Sequence, residues 1–256
     1  MLLRPLGFLA LGFALVLNLS LPAVAADKTT LVALVASNAK APFAEIIAAY
    51  GKTHPDIAVS PTYVGSNVIA REVSSGAAID MVLIAQPALA AAGSGLDTPV
   101  AIFTNRAAIG VNKTASAKIR EVKDLLKPGV RIGGGAAGTT TGAWEAQVVE
   151  KMAAHYGKDF ATKYDANVVG KKIDTGKLTE MVESGAADAA ILYEANIDPA
   201  KMAMIKLGAE DLVTVPVFVA TVKASAHSAA AKAFVAFVAG PEAAVILRAH
   251  RMDTSK

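Results

Sequence analysis

The chain of 256 residues contains no cysteine. That excludes disulfides, a lipid-modified N-terminal cysteine, a thiolate metal site and a cysteine nucleophile. A chain without disulfides must rest on an ordinary apolar core, and this length is enough to bury one. Aromatic residues make up only 5 % of the chain, Trp144 is the single tryptophan, and the formal net charge is +3. The basic, aromatic-studded footprint of a nucleic-acid binder is therefore missing. His54, His155, His227 and His250 are scattered and never spaced as metal ligands. No G-x-S-x-G elbow occurs, and no Ser/His/Asp order stands out. After residue 26 no apolar run is long enough to span a bilayer.

What is present begins with an export signal. Arg4 is the only charge in the first 26 residues, an apolar run from Leu6 to Leu21 follows, and Pro22-Ala23-Val24-Ala25-Ala26 ends in a small-x-small cleavage pattern. The run is short for a membrane anchor and is interrupted by Asn18 and Ser20. The expectation is a signal peptide over 1–26 and a mature chain that works in the periplasm, not embedded in the membrane. Removing the leader takes Arg4 and no acid from the +3 total, which leaves +2.

The rest alternates short apolar runs with amphipathic segments. Strands are expected at Leu31–Ala36, Ile57–Tyr63, Met81–Ala85, Ala107–Asn112, Val130–Gly133, Asn167–Val169, Ala189–Tyr193 and Val217–Val222. Helices are expected at Pro42–Lys52, Val68–Ser75, Ala143–Tyr156, Lys177–Ser184, Ala229–Ala239 and Glu242–Arg248, with Gly76, Gly157 and Gly185 as stops. This order predicts an α/β fold of two lobes, each a mostly parallel sheet flanked by helices. Strands crossing near Thr104–Val111 and Val215–Val222 would return the last helices to the first lobe. The expected division is 27–106 plus 222–256 against 107–221, with a ligand cleft between.

Hydroxyl-rich junctions recur where a strand gives way to a helix: Ser37-Asn38, Gly65-Ser66-Asn67, Thr139-Thr140-Thr141-Gly142 and Asp174-Thr175-Gly176. Each is a plausible helix cap by itself. Gathered at the carboxyl edge of parallel sheets, they would offer free N–H groups and hydroxyls to a small anion without any Lys or Arg. Gly133-Gly134-Gly135-Ala136-Ala137-Gly138 satisfies G-x-G-x-x-G formally, but three threonines separate it from the helix and it lacks the lysine of a phosphate-binding loop. Asp80, Asp188 and Glu194 lie at strand edges, where structural hydrogen bonding is the favoured role over catalysis.

These segments resemble the periplasmic molybdate-binding proteins of ABC importers, a branch of the type II periplasmic solute-binding fold. The likeness rests on Leu31–Ser37, Gly65–Arg71, Gly76–Ala85, Val182–Asp188 with Ile191-Leu192-Tyr193, and Phe237–Ala244. Position by position it implies hydrogen bonds to the ligand from Ser37 and Ser66 on one lobe. Thr141 and Thr175 fall where the family uses backbone N–H groups, and Tyr193 where it uses a phenol. The chain departs from the pattern at Thr140-Thr141-Gly142, which replaces a P-A-G turn, and at Asp174-Thr175-Gly176, which replaces Asn/Asp-Val-Arg.

The expected function is capture of a tetrahedral oxyanion, molybdate or tungstate, by a monomeric, non-enzymatic binding protein. It has no cofactor or metal and delivers its ligand to an ABC transporter permease. The rivals are a protein of the same fold for another oxyanion, a carboxylate or a chelated metal, and a secreted hydrolase with Ser37 or Ser66 as nucleophile. Ser37→Ala and Ser66→Ala are expected to weaken binding with little loss of thermal stability. Trp144, within a turn of Thr141, is expected to report binding by fluorescence.

Overall fold

A computed structural model describes residues 28–254; the expected signal peptide lies outside them. In chain order the elements are β1 (Thr29–Ala36), α1 (Lys40–Thr53), β2 (Ile57–Val64), α2 (Ser66–Ser74), β3 (Met81–Ala85), α3 (Gln86–Leu89), β4 (Val100–Asn112), β5 (Ile132–Gly135), α4 (Thr140–Tyr156), α5 (Phe160–Ala166), β6 (Val168–Lys172), α6 (Thr175–Glu183), β7 (Ala189–Tyr193), β8 (Met202–Lys206), β9 (Thr214–Thr221), α7 (Ser228–Val238) and α8 (Pro241–Ala249). Met81–Ala85 and Ala189–Tyr193 fall where the apolar runs place them. Both are buried along their whole length, the pattern of strands covered by helices on two faces.

The strands pair in the order β2-β1-β3-β9-β4-β7-β5-β6, with β8 added against β4. β1 is parallel to β2 and β3, and β5 is parallel to β6 and β7. β4 joins the two sets. Its first half, Val100–Arg106, is antiparallel to β9, and its second half, from Ala107, is antiparallel to β7 and β8. The fold is therefore the two-lobed α/β architecture the sequence predicts. One detail differs. The segment Val215–Val222 does not itself pair with both sets, because β9 pairs with β3 and with the first half of β4 only. Pro216 lies inside β9 rather than before it. It stands opposite Thr104, whose N–H donates instead to Asp253 O at 2.7 Å, so the missing proline donor costs the ladder nothing there.

The two parallel sets are built alike. α2 ends at Gly76 (φ +76°) and α6 at Gly185 (φ +75°), left-handed turns that a glycine adopts without strain. Each turn leads to an aspartate at a strand start. Asp80 accepts Val32 N–H at 2.7 Å, Ser225 Oγ at 2.6 Å and His227 Nδ1 at 3.2 Å. Asp188 accepts Arg131 N–H at 3.0 Å and the Arg131 guanidinium at 2.6 Å. Glu194 sits 3.6 Å from Arg106. Asp80 and Asp188 thus make the expected structural hydrogen bonds, whereas the Glu194 carboxylate makes only this ion pair among the described residues. α7 packs on β1, β9 and α1, and its Phe234 meets Phe43 and Tyr50 edge-on.

Candidate functional site

Parallel strands send every strand-to-helix junction to one edge of the sheet, and here four junctions face one another across a single cavity. Its walls are Ala36, Ser37, Asn38, Val64, Gly65, Ser66, Ala85, Thr140, Thr141, Asp174, Thr175 and Tyr193. All five residues singled out from the sequence are among them. Asn38, Thr140 and Asp174 also line it; each stands next to a named residue, and that adjacency was the available signal. The lining holds no lysine, arginine or histidine.

Each donor is set by local structure. Ser66 opens α2 and is 4 % exposed. Its Oγ accepts Ala85 N–H at 3.1 Å, so the hydroxyl proton remains for a guest. Ser37 ends the β1 run in a 3₁₀ turn and is half-buried. In α4, Thr139 is the N-cap and its Oγ1 accepts Gly142 N–H at 3.0 Å. In α6, Asp174 is the N-cap and accepts Lys177 N–H at 2.9 Å. The caps therefore take the third amide of each helix and leave the first two, Thr140 and Thr141 or Thr175 and Gly176, without a partner inside the helix. These amides sit at the positive ends of helix dipoles.

Thr141 and Thr175 are both buried, and their Oγ1 atoms lie 3.4 Å apart, too far for a strong mutual bond. The two hydroxyls approach each other from two different helices. Tyr193, at the end of β7, is 4 % exposed. Burial raises its phenol above the ordinary value, against a bond from Thr175 that lowers it, so the group stays protonated and can donate. Its ring lies 4.3 Å, centroid to centroid, from Trp144. The one carboxylate in the lining, Asp174, is occupied at Oδ1 by its capping bond.

The two sides are in close approach. A methyl group built on Gly176 would lie 3.7 Å from Ser37 Oγ, and one on Gly65 3.4 Å from Ile173 O. Asn196 Nδ2 donates to Asn38 O at 3.2 Å, and Asn38 Nδ2 to Asn105 Oδ1 at 3.0 Å, which steadies the turn that carries Ser37. What remains is small: about 20 Å³ is open to the centre of a water-sized atom. On that measure one water needs roughly 10–15 Å³, so only a small guest fits.

The G-x-G-x-x-G stretch serves packing. A methyl on Gly133 would lie 2.8 Å from Leu178 Cδ1, and one on Gly135 would lie 2.6 Å from Gly142 N.

Residues 31–252 match the model of the bacterial extracellular solute-binding proteins. The chain belongs to that family. Members of that family bind small-molecule solutes outside the cytoplasm and typically serve transport rather than catalysis. No curated protein matches its sequence. Solved structures of similar fold include a periplasmic molybdate-binding protein from Azotobacter vinelandii, 19 % identical, covering 88 % of this chain and 100 % of that one at a TM-score of 0.73. A sulfate-binding protein from Mycobacterium tuberculosis is 18 % identical, covering 88 % and 86 % at 0.73. A fructose-6-phosphate-bound periplasmic binding protein from Actinobacillus pleuropneumoniae is 14 % identical, covering 89 % and 85 % at 0.72. At these identities the likeness of this solute-binding protein to each is one of fold.

Proposed function

We propose that this solute-binding protein captures a tetrahedral oxyanion, molybdate or tungstate, in the periplasm and delivers it to an ABC transporter permease. The observation that carries the reading is the cavity itself. Hydroxyl-bearing residues from four helix starts and one strand end surround a small space whose lining holds no lysine, arginine or histidine. A dianion there is held by neutral donors, each worth about 1.5–3 kcal/mol when it bonds a charged group. Residues 27–106 with 222–256 would form one lobe and 107–221 the other, except that β9, which pairs only with β3 and the first half of β4, would go with the first lobe. The change of partners along β4 at Arg106/Ala107 supports that boundary. Closure then brings Ser37 and Ser66 against Thr141, Thr175 and Tyr193 and excludes water.

The second reading is a smaller oxyanion such as sulfate. It is favoured by the hydroxyls of Thr141 and Thr175, which add donors and narrow the space. A serine hydrolase has less support, because the cavity lining offers neither Ser37 nor Ser66 a histidine base. Calorimetric titration of the mature protein with molybdate, tungstate, sulfate and phosphate tests the proposal. One-to-one binding of molybdate or tungstate, with a change in Trp144 emission, is the expected result. Sulfate as the tightest ligand selects the second reading, and no binding of any of the four ends both.

A further inference from the structure

The reading above leaves the buried carboxyl of Glu145 unused. Glu145 follows Thr141 by one helical turn in α4 and is 7 % exposed. Its Oε2 accepts the N–H of Gly135, the last residue of β5, and its Oε1 accepts the Tyr164 hydroxyl of α5 at 2.6 Å. On its open side it lines a cavity of about 500 Å³ behind α4, together with Glu150, Asp165 and Lys171. Burying a carboxyl is unfavourable unless its oxygens are bonded, and an apolar residue at this place in the helix would avoid the cost.

Its position explains the choice. Gly135 is where β5 hands over to α4, and backbone lies against backbone there. A methyl on Gly135 would come within 2.6 Å of Gly142 N, and one on Gly142 would overlap Ala136 O. Between these glycines run Thr139, the cap, and Thr140 and Thr141, which line the anion cavity. Ala136 N–H donates to Lys172 O, so the strand end is also tied to β6. Glu145 is the one side chain that bonds the Gly135 amide from the helix itself.

We propose that Glu145 is a positioning residue: its carboxyl joins the end of β5 to α5 through Gly135 and Tyr164, and so fixes the α4 start that presents Thr140 and Thr141 to the ligand. The inference rests on the oxyanion reading of the cavity for its functional consequence, while the clamp can be tested without ligand.

The experiment compares wild-type mature protein with Glu145→Ala, Glu145→Gln and Tyr164→Phe. Amide exchange over residues 135–142 is followed without ligand, and molybdate and sulfate affinities are measured well below each variant's melting temperature. Glu145→Ala is expected to speed exchange in this segment and to weaken binding by about tenfold or more. Glu145→Gln, whose amide oxygen can still accept the Gly135 N–H, should recover part of both. Tyr164→Phe should fall between wild type and Glu145→Ala. A side chain needed only for packing would lower melting temperature and leave the affinity of the folded fraction alone. That outcome, or unchanged exchange at 135–142, overturns the proposal. Should Glu145→Ala fail to fold, the Gln and Phe variants give the same comparison. Lack of oxyanion binding by the wild type would instead refute the reading of the cavity, and the exchange arm alone would then decide whether Glu145 holds the turn.

Discussion

Replacing Ser66 by alanine separates two roles that one hydroxyl fills. Its oxygen accepts Ala85 N–H at 3.1 Å in a buried setting, and the residue lines the cavity, which leaves its proton free to donate to a guest there. Removing the oxygen leaves a buried backbone N–H without its acceptor, a cost of about 1–3 kcal/mol. For a domain of this size that lowers the melting temperature by about 2–12 °C. Removing the proton deletes a bond to a charged ligand worth about 1.5–3 kcal/mol, or about a 10- to 150-fold loss of affinity. Ser37 is the internal control. It is half-buried, and its hydroxyl bonds no protein group among the described residues, so Ser37→Ala is expected to lose affinity with its melting temperature nearly unchanged. The expectation of little loss of thermal stability is thus revised for Ser66, because of its bond to Ala85. The assays are calorimetric titration and thermal unfolding of each ligand-free variant. Wild-type affinity in Ser66→Ala would refute the placement of its proton, and an unshifted melting temperature would refute the bond to Ala85.

Tyr193→Phe should weaken oxyanion binding by about 10- to 150-fold. In the wild type, affinity should stay level as pH rises from neutral to 10.0, because burial raises the phenol above that ordinary value; an affinity that falls with a midpoint below it would show that the phenol ionises there. Gly142→Ala forces a methyl into Ala136 O at the α4 start, and should cost about 1–3 kcal/mol or more in urea unfolding, together with ligand affinity. Asp80→Asn removes a carboxylate whose pKa burial pushes up but which the bonds from Ser225, Val32 and His227 bring below 3.8. A lowered value stabilises the fold above pH 3.8 and is lost as pH falls from there, so the variant should be less stable at neutral pH and show a shallower acid limb in a melting-temperature profile.

Much of the architecture was legible because its signals are local and physical. Continuous apolar runs marked Met81–Ala85 and Ala189–Tyr193, and glycines at positive φ marked the ends of α2, α4 and α6. The elements missed had weak patterns. β8 lies at the margin of the pairing path with only Met202 buried, and α5 has two buried residues, Phe160 and Tyr164, in a single short helix. β4 begins seven residues before the strand expected at Ala107–Asn112, because Thr104, Asn105 and Arg106 interrupt its apolar run. Asn105 is nonetheless buried, bonded to Asn38 across the first lobe.

The candidate site shows where local reading stops and topology takes over. Thr139 and Asp174 look in sequence like Thr141 and Thr175: short polar residues at the head of a helix. The first pair caps its own helix, with Oγ1 and Oδ1 turned back to the third amide. The second pair lies one or two residues further on, where a helical side chain no longer reaches its own free amides and must face whatever stands beside the helix start. Here the other helix start stands there, because β5 is a parallel neighbour of both β6 and β7, so that the starts of α4 and α6 and the end of β7 reach the same edge. Convergence of neutral donors is therefore a property of strand order, and a hydroxyl acquires a ligand role only when parallel pairing turns its helix toward a second one.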